Sequence, residues 1–165
     1  MLEKCLHQAS VAGFTGMETG RPFPMDMAAL GPILSRFGIS VCGGWCAEQG
    51  MPWSYYHHMA AAIETEAELD LFMKHSTVPL LFDAGHLAFA GGDVLRLLDN
   101  RHTHISHVHT KDVRMSVING LDRLRESFLD AVMNGAFTVP GDGFLDFETI
   151  VKHRASYSYE GWFCG

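Results

Sequence analysis

Short apolar runs ending in a charged residue, an imidazole or a glycine alternate along this chain with stretches of helical period, and that alternation restricts the fold more than any single motif. Leu2, Cys5, Leu6 and Ala9 recur at helical spacing, and Gly13 follows as a left-handed stop before an apolar strand from Phe14 to Met17. Asp26 caps a second predicted helix whose apolar side carries Leu30, Ile33, Leu34 and Phe37; Gly38 ends it, and Ile39 to Trp45 reads as strand. Ser54 to Met59 is a third strand. Thr65 then caps a helix over 66–75, with Glu68 completing a capping box, and Val78 to Asp83 is a strand apolar enough to be buried on both faces. Asp93 opens a short helix through Leu98, Ile105 to His109 is strand, and a longer helix is predicted from about Ser116 to Met133. Asp146 caps a last helix before a strand fragment from Gly161 to Cys164. About six strands separated by helices predict an α/β fold with a parallel sheet and helical crossovers, open or closed into a barrel.

One join breaks the pattern. Only Cys46 to Trp53 separate the second strand from the third, whereas a parallel crossover needs a dozen or more residues. Either a helix is missing here or the two strands form a local antiparallel pair about Gly50 and Pro52. Otherwise 165 residues, 47% of them hydrophobic, fit one domain with an ordinary core. No apolar stretch approaches the ~20 residues of a membrane span, and MLEKCLHQAS lacks the layout of a secretory signal, so a cytoplasmic protein with no membrane partner is expected. Four scattered cysteines predict reduced thiols, and a net charge of -7 opposes binding to nucleic acid.

The chain has ten histidines, and six of them crowd into Tyr55 to Met59 and His102 to His109. Leu80-Leu81-Phe82-Asp83-Ala84-Gly85-His86 is an apolar strand ending in a carboxylate with an imidazole three residues on. In parallel β/α folds the C-terminal strand ends carry the active site, so Asp83 is either a site carboxylate or the cap of the next loop. Period 2 puts His107 and His109 on one face of their strand, with His109 at its end. A neutral imidazole plus a carboxylate suits Mn²⁺, Co²⁺, Fe²⁺ or Zn²⁺ better than Mg²⁺; structural histidines are the other reading. In Tyr55-Tyr56-His57-His58-Met59, strand parity pairs Tyr56 with His58 and Tyr55 with His57, so one of the two histidines points inward. Glu18 ends the first strand as a site carboxylate or a solvated residue. Gly141-Asp142-Gly143 is a turn running into the Asp146-capped helix.

Taken in order, GFTGMETGRPFP, YYHHM, LLFDAGHLAFAGGD, HISHVHTKDVR, FLDAVMNGAFTVPGDGFLDF and YEGW resemble the xylose isomerase-like TIM barrels, and the inosose dehydratase family most closely. That resemblance implies an incomplete (β/α)8 barrel that is cytoplasmic and acts on a small polyol or keto-inositol. It implies a divalent metal, Mn²⁺ or Co²⁺, bound by Asp83 on the sixth strand and His109 on the seventh. A fifth-strand ligand position falls on Tyr56, a poor ligand because a phenol ionises near pH 10, with His58 on the same face as its substitute. The eighth-strand glutamate falls just beyond Gly165.

The reaction implied is loss of water from a keto-inositol, with His86, Lys111 and Glu18 as catalytic candidates and His57 and His58 as substrate-binding ones. A sugar isomerase or epimerase on the same scaffold, or a non-catalytic fragment, are the other readings. Matched against about 250 residues of family barrel, 1–165 is a single partial domain starting within the first helix. The short join becomes a deletion junction near 45–47 that drops the fourth strand. Missing strands leave unpaired edges, so self-association and weakened activity are expected.

Overall fold

The computed structural model describes residues 2–19, 23–24, 26–43 and 53–165. The expected junction near 45–47 lies outside the described residues. The chain gathers into two compact units, Met1–Trp53 and Ser54–Gly165, each with its own core.

In the first unit, helix α1 (Leu2–Val11) leads to strand β1 (Gly16–Glu18), and helix α2 (Met27–Phe37) to strand β2 (Ser40–Gly43). The Asp26 carboxylate accepts the Ala28 amide at 2.9 Å, and Gly38 takes the left-handed conformation at φ 62° that lets the chain leave α2 sharply. β1 and β2 pair in parallel from Gly16↔Ser40 to Glu18↔Gly43. Leu6, Leu30, Leu34 and Ile39 are its buried core residues; Leu6 lies on the apolar side predicted for the first helix, and Leu30 and Leu34 on that predicted for the second.

The second unit holds strands β3 (Tyr55–Tyr56), β4 (Leu80–Asp83), β5 (Ile105–His109) and two further short ones, β6 (Asp112–Val113) and β7 (Phe137–Thr138), before the last, β8 (Phe163–Cys164). Its helices are α3 (Glu66–His75), α4 (Ala84–Phe89), α5 (Val94–Arg101), α6 (Met115–Gly120), α7 (Phe128–Met133) and α8 (Phe147–Ser156). The main sheet runs β3-β4-β5-β8, every pair parallel. Each strand lies beside the next in chain order, as around a barrel wall; an open doubly wound sheet reverses direction at a switch point. Leu80, Phe82 and Val108 are fully buried with Leu69 of α3, Leu97 and Leu98 of α5 and Ile150 of α8. No helix among the described residues is long and apolar enough to cross a membrane.

Some elements depart from the sequence pattern, each for a local reason. The helix predicted from Ser116 to Met133 is two helices, because α6 stops at Gly120 and Ser127 starts α7 with a new capping box to Asp130. α4 starts directly from β4 with Asp83 as its cap, and its sequence AGHLAF carries no amphipathic period because every residue in it is buried. The strand expected from Ser54 to Met59 shortens to Tyr55–Tyr56, since the Asp83 amide bonds to the His57 imidazole instead of to a strand carbonyl.

Past the end of β5, β6 and β7 form a separate antiparallel pair that the alternation does not announce. Its anchor is Asp112. Fully buried, its carboxylate accepts the amides of Val113, Gly141, Gly143 and Leu145 at 2.7 to 3.0 Å. A Cβ on Gly143 would lie 2.6 Å from the Val113 carbonyl, so only glycine lets the turn close over the carboxylate. Asp112→Ala leaves these amides without their acceptor and is expected to cost about 3 kcal/mol or more. Urea unfolding checks it, and a loss below about 1 kcal/mol would show that the turn holds without the carboxylate.

Candidate active site at the ends of three parallel strands

β3, β4 and β5 end side by side, and register decides what meets there. Asp83 pairs with His109 across β4 and β5, while Tyr56 pairs with Leu81 across β3 and β4. The side chains of Tyr56, Asp83 and His109 therefore converge, and Lys111, two residues past His109, reaches back among them. Its ammonium donates to Asp83 Oδ2 at 2.6 Å and to Tyr56 Oη at 2.7 Å, and stands 3.2 Å from His109 Nδ1. The Tyr56 hydroxyl donates in turn to Asp83 Oδ2 at 2.9 Å. Asp83 Oδ1 is committed elsewhere, accepting the His86 amide at 3.1 Å as the cap of α4. The two readings of Asp83 in the sequence, site carboxylate and helix cap, are thus divided between its two oxygens.

The histidines of β3 separate as parity requires. His57 is fully buried on the far side of its strand, its Nε2 accepting the Asp83 amide at 3.1 Å, so it supports the end of β4 from beneath. His58 lies on the site side, its ring 3.8 Å from that of His86 and 5.3 Å from that of Tyr56. The His86 Nδ1 accepts the Met59 amide at 3.3 Å, which assigns its proton to Nε2; that atom is buried, has no hydrogen-bond partner and lies 4.0 Å from Asp83 Oδ2. The His58 Nδ1 meets the Met59 carbonyl at 2.6 Å and so carries the proton, leaving Nε2 as an acceptor. Glu18, the remaining candidate, ends β1 in the first unit, half-buried.

Sequence reasoning missed the aromatic wall behind these rings. Phe137 of β7 lies 4.9 Å and Phe128 of α7 5.8 Å from the His86 ring, and Phe128 lies 5.5 Å from His58. They follow β5 in stretches whose periodicity marks no shared face with the site. A Cβ on Gly85 would lie 2.7 Å from the Lys111 carbonyl oxygen. Without a side chain at that position, α4 packs directly on the Lys111 backbone and fixes the root of the lysine.

These surroundings set the charges. Burial raises the Asp83 carboxyl, but the hydrogen bond from His109 and the charge of Lys111 outweigh it and hold the group far below the usual carboxylate range. Burial lowers His57 to about 4 and His86 to about 3, with Asp83 opposing in both cases, so both rings are neutral near pH 7.

Asp83 Oδ2 and His109 Nδ1 are 3.4 Å apart, the span of two ligands on one divalent ion at a near-tetrahedral angle. The rest of the arrangement does not fit such an ion. The third corner is a phenol that donates to the carboxylate, His86 presents a protonated nitrogen, and an ammonium stands at the centre.

The parallel order, with a charged cluster at the C-terminal strand ends, is that of a β/α-barrel type of chain. No family model matches it. It is 44% identical to the inosose dehydratase of Geobacillus thermodenitrificans over 238 aligned residues, covering 98% of this chain and 80% of that one. It is 30% identical to the rhizopine catabolism protein MocC of Rhizobium meliloti, covering 98% and 73%. The chain belongs to the inosose dehydratase family. Its match to the Clostridium botulinum inosose dehydratase, 41% identical, covers 76% of this chain but 43% of that one. An aligned span of 238 residues against a chain of 165 means that the Geobacillus relative carries residues with no counterpart here. Among solved structures, a crystal structure of IOLI protein with a binding zinc atom is 11% identical with a TM-score of 0.46, covering 98% of this chain and 57% of that one.

A pH dependence of stability follows. The folded-state values of His57 and His86 lie below the ordinary 6.5, so the unfolded chain takes up protons first as pH falls. Their contribution is complete above about pH 6.5 and is lost as pH falls toward 4 and then 3; Asp83 acts in the same sense below its ordinary 3.8. His57 alone accounts for roughly 3 kcal/mol across that window. Urea midpoints measured from neutral pH downward are expected to fall through this range and to fall less for His57→Gln; a flat profile in the wild-type chain contradicts the burial of these rings.

Proposed function

We propose that this chain is a hydro-lyase of the inosose dehydratase type, removing water from a keto-inositol in inositol breakdown. The observation that carries the reading is 44% identity to a named inosose dehydratase across 98% of the chain. The cluster at the ends of β3, β4 and β5 supports it, because it brings together the groups that an α-proton elimination needs. A cytoplasmic location and a small polyol substrate go with this reading.

Loss of water from a β-hydroxy ketone needs a base for the proton beside the carbonyl, a positive group for the developing oxyanion, and a proton for the departing hydroxyl. Lys111 supplies the positive group: its ammonium, 35% exposed, hydrogen-bonds the ketone oxygen as negative charge collects there. The accepting Nε2 of His58 takes the carbon-bound proton and returns it to the β-hydroxyl as the carbon–oxygen bond breaks. One water leaves, and the ring keeps an unsaturated ketone. The Nε2–H of His86 orients the substrate by donating to a ring hydroxyl, while Phe128 and Phe137 exclude water behind it. Asp83 holds the Lys111 ammonium in position through an ion pair at 2.6 Å. Manganese or cobalt, implied by the resemblance, receives no step, since the donor set around Asp83 does not fit a divalent ion. Glu18, in the first unit, receives none either.

The purified chain, incubated with a keto-inositol with and without added manganese(II), is expected to form the unsaturated ketone, followed by its ultraviolet absorbance. Lys111→Met is expected to lower kcat by roughly 10²–10³-fold, the usual effect of removing one oxyanion donor. Absence of product under both conditions overturns the assignment of activity to this chain.

A further inference from the structure

We infer that the Lys111 ammonium is the resident cation of the Asp83 cluster, a tethered charge standing where a divalent ion would bridge the carboxylate and imidazole of β4 and β5. The inference concerns the cluster of the proposed reaction but does not depend on that reaction taking place.

Hydrogen-bond capacity is the first ground. A lysine ammonium has three donors, and two of them meet acceptors of the cluster, Asp83 Oδ2 at 2.6 Å and Tyr56 Oη at 2.7 Å, while His109 Nδ1 lies 3.2 Å from the nitrogen. Tyr56 closes the triangle by donating to the same carboxylate oxygen at 2.9 Å. With Oδ1 capping α4, every oxygen of the buried carboxylate is engaged by the chain's own donors.

Charge is the second. One carboxylate and one ammonium balance at the centre of the cluster, 2.6 Å apart. A divalent ion on Asp83 Oδ2 would sit beside the ammonium with a single negative charge to share, and the Tyr56 hydroxyl is turned toward the same oxygen as a donor. Backbone packing is the third ground: with Gly85 pressed on Lys111, the root of the side chain lies beneath the cluster, and its ammonium also sits 5.2 Å from the centre of the Tyr56 ring. The charge is built into the fold.

The test reads metal binding and requires no turnover. The full chain is mixed with equimolar manganese(II) at a tenth of a millimolar, and the electron paramagnetic resonance signal of the free aqueous ion is measured. The wild-type signal is expected to stay undiminished; capture of half or more of the ion overturns the inference. Lys111→Met combined with Tyr56→His is expected to bind at least tenfold more tightly than wild type. If that pair does not fold, Lys111→Gln alone replaces it with the same expectation. A folded variant that gains no binding shows that the ammonium is not what excludes the ion, and overturns the inference as well.

Discussion

A carboxylate buried without any solvent exposure has to be compensated, and the second unit of this protein is organised around doing so for Asp83. Three strands deliver the compensation. β3 contributes a phenol above and an imidazole below, β5 contributes His109 through direct register pairing, and the segment after β5 turns Lys111 back onto the oxygen. The same residue starts α4. Site, strand end and helix start are therefore one electrostatic arrangement, and a change at any of them is felt by the others.

Asp112 repeats the device with a different outcome. Three residues after His109, it is as deeply buried, but it is satisfied by backbone amides from a glycine turn and by no cation. A carboxylate ringed by fixed amides holds a loop in shape, whereas one facing a lysine and two rings has partners that a substrate can engage. Asp83 and Asp112 therefore differ in their partners and not in their burial.

Much of this was legible in the residues. Period 2 in His107–His109 and the apolar run before Asp83 placed both at strand ends on one face, and the Thr65 capping box marked α3 at the observed boundaries. The rest depended on contacts that sequence spacing does not encode. α4 is buried on all sides and so has no amphipathic signature, and the β6–β7 pair exists because a distant turn wraps Asp112. His57 and His58 looked equivalent until the Asp83 amide engaged one of them. The position of Lys111 over Asp83 follows from Gly85, whose importance is invisible without knowing which backbone lies against it.

The groups of this cluster come from one run of chain, Tyr56 to Lys111, on strands that are immediate neighbours. Their mutual positions are set by pairing within that run, much as three adjoining staves of a cask keep their alignment whatever becomes of the others. Length variation elsewhere in the chain leaves this register unchanged, because the pairing of β3, β4 and β5 is set within a short contiguous passage.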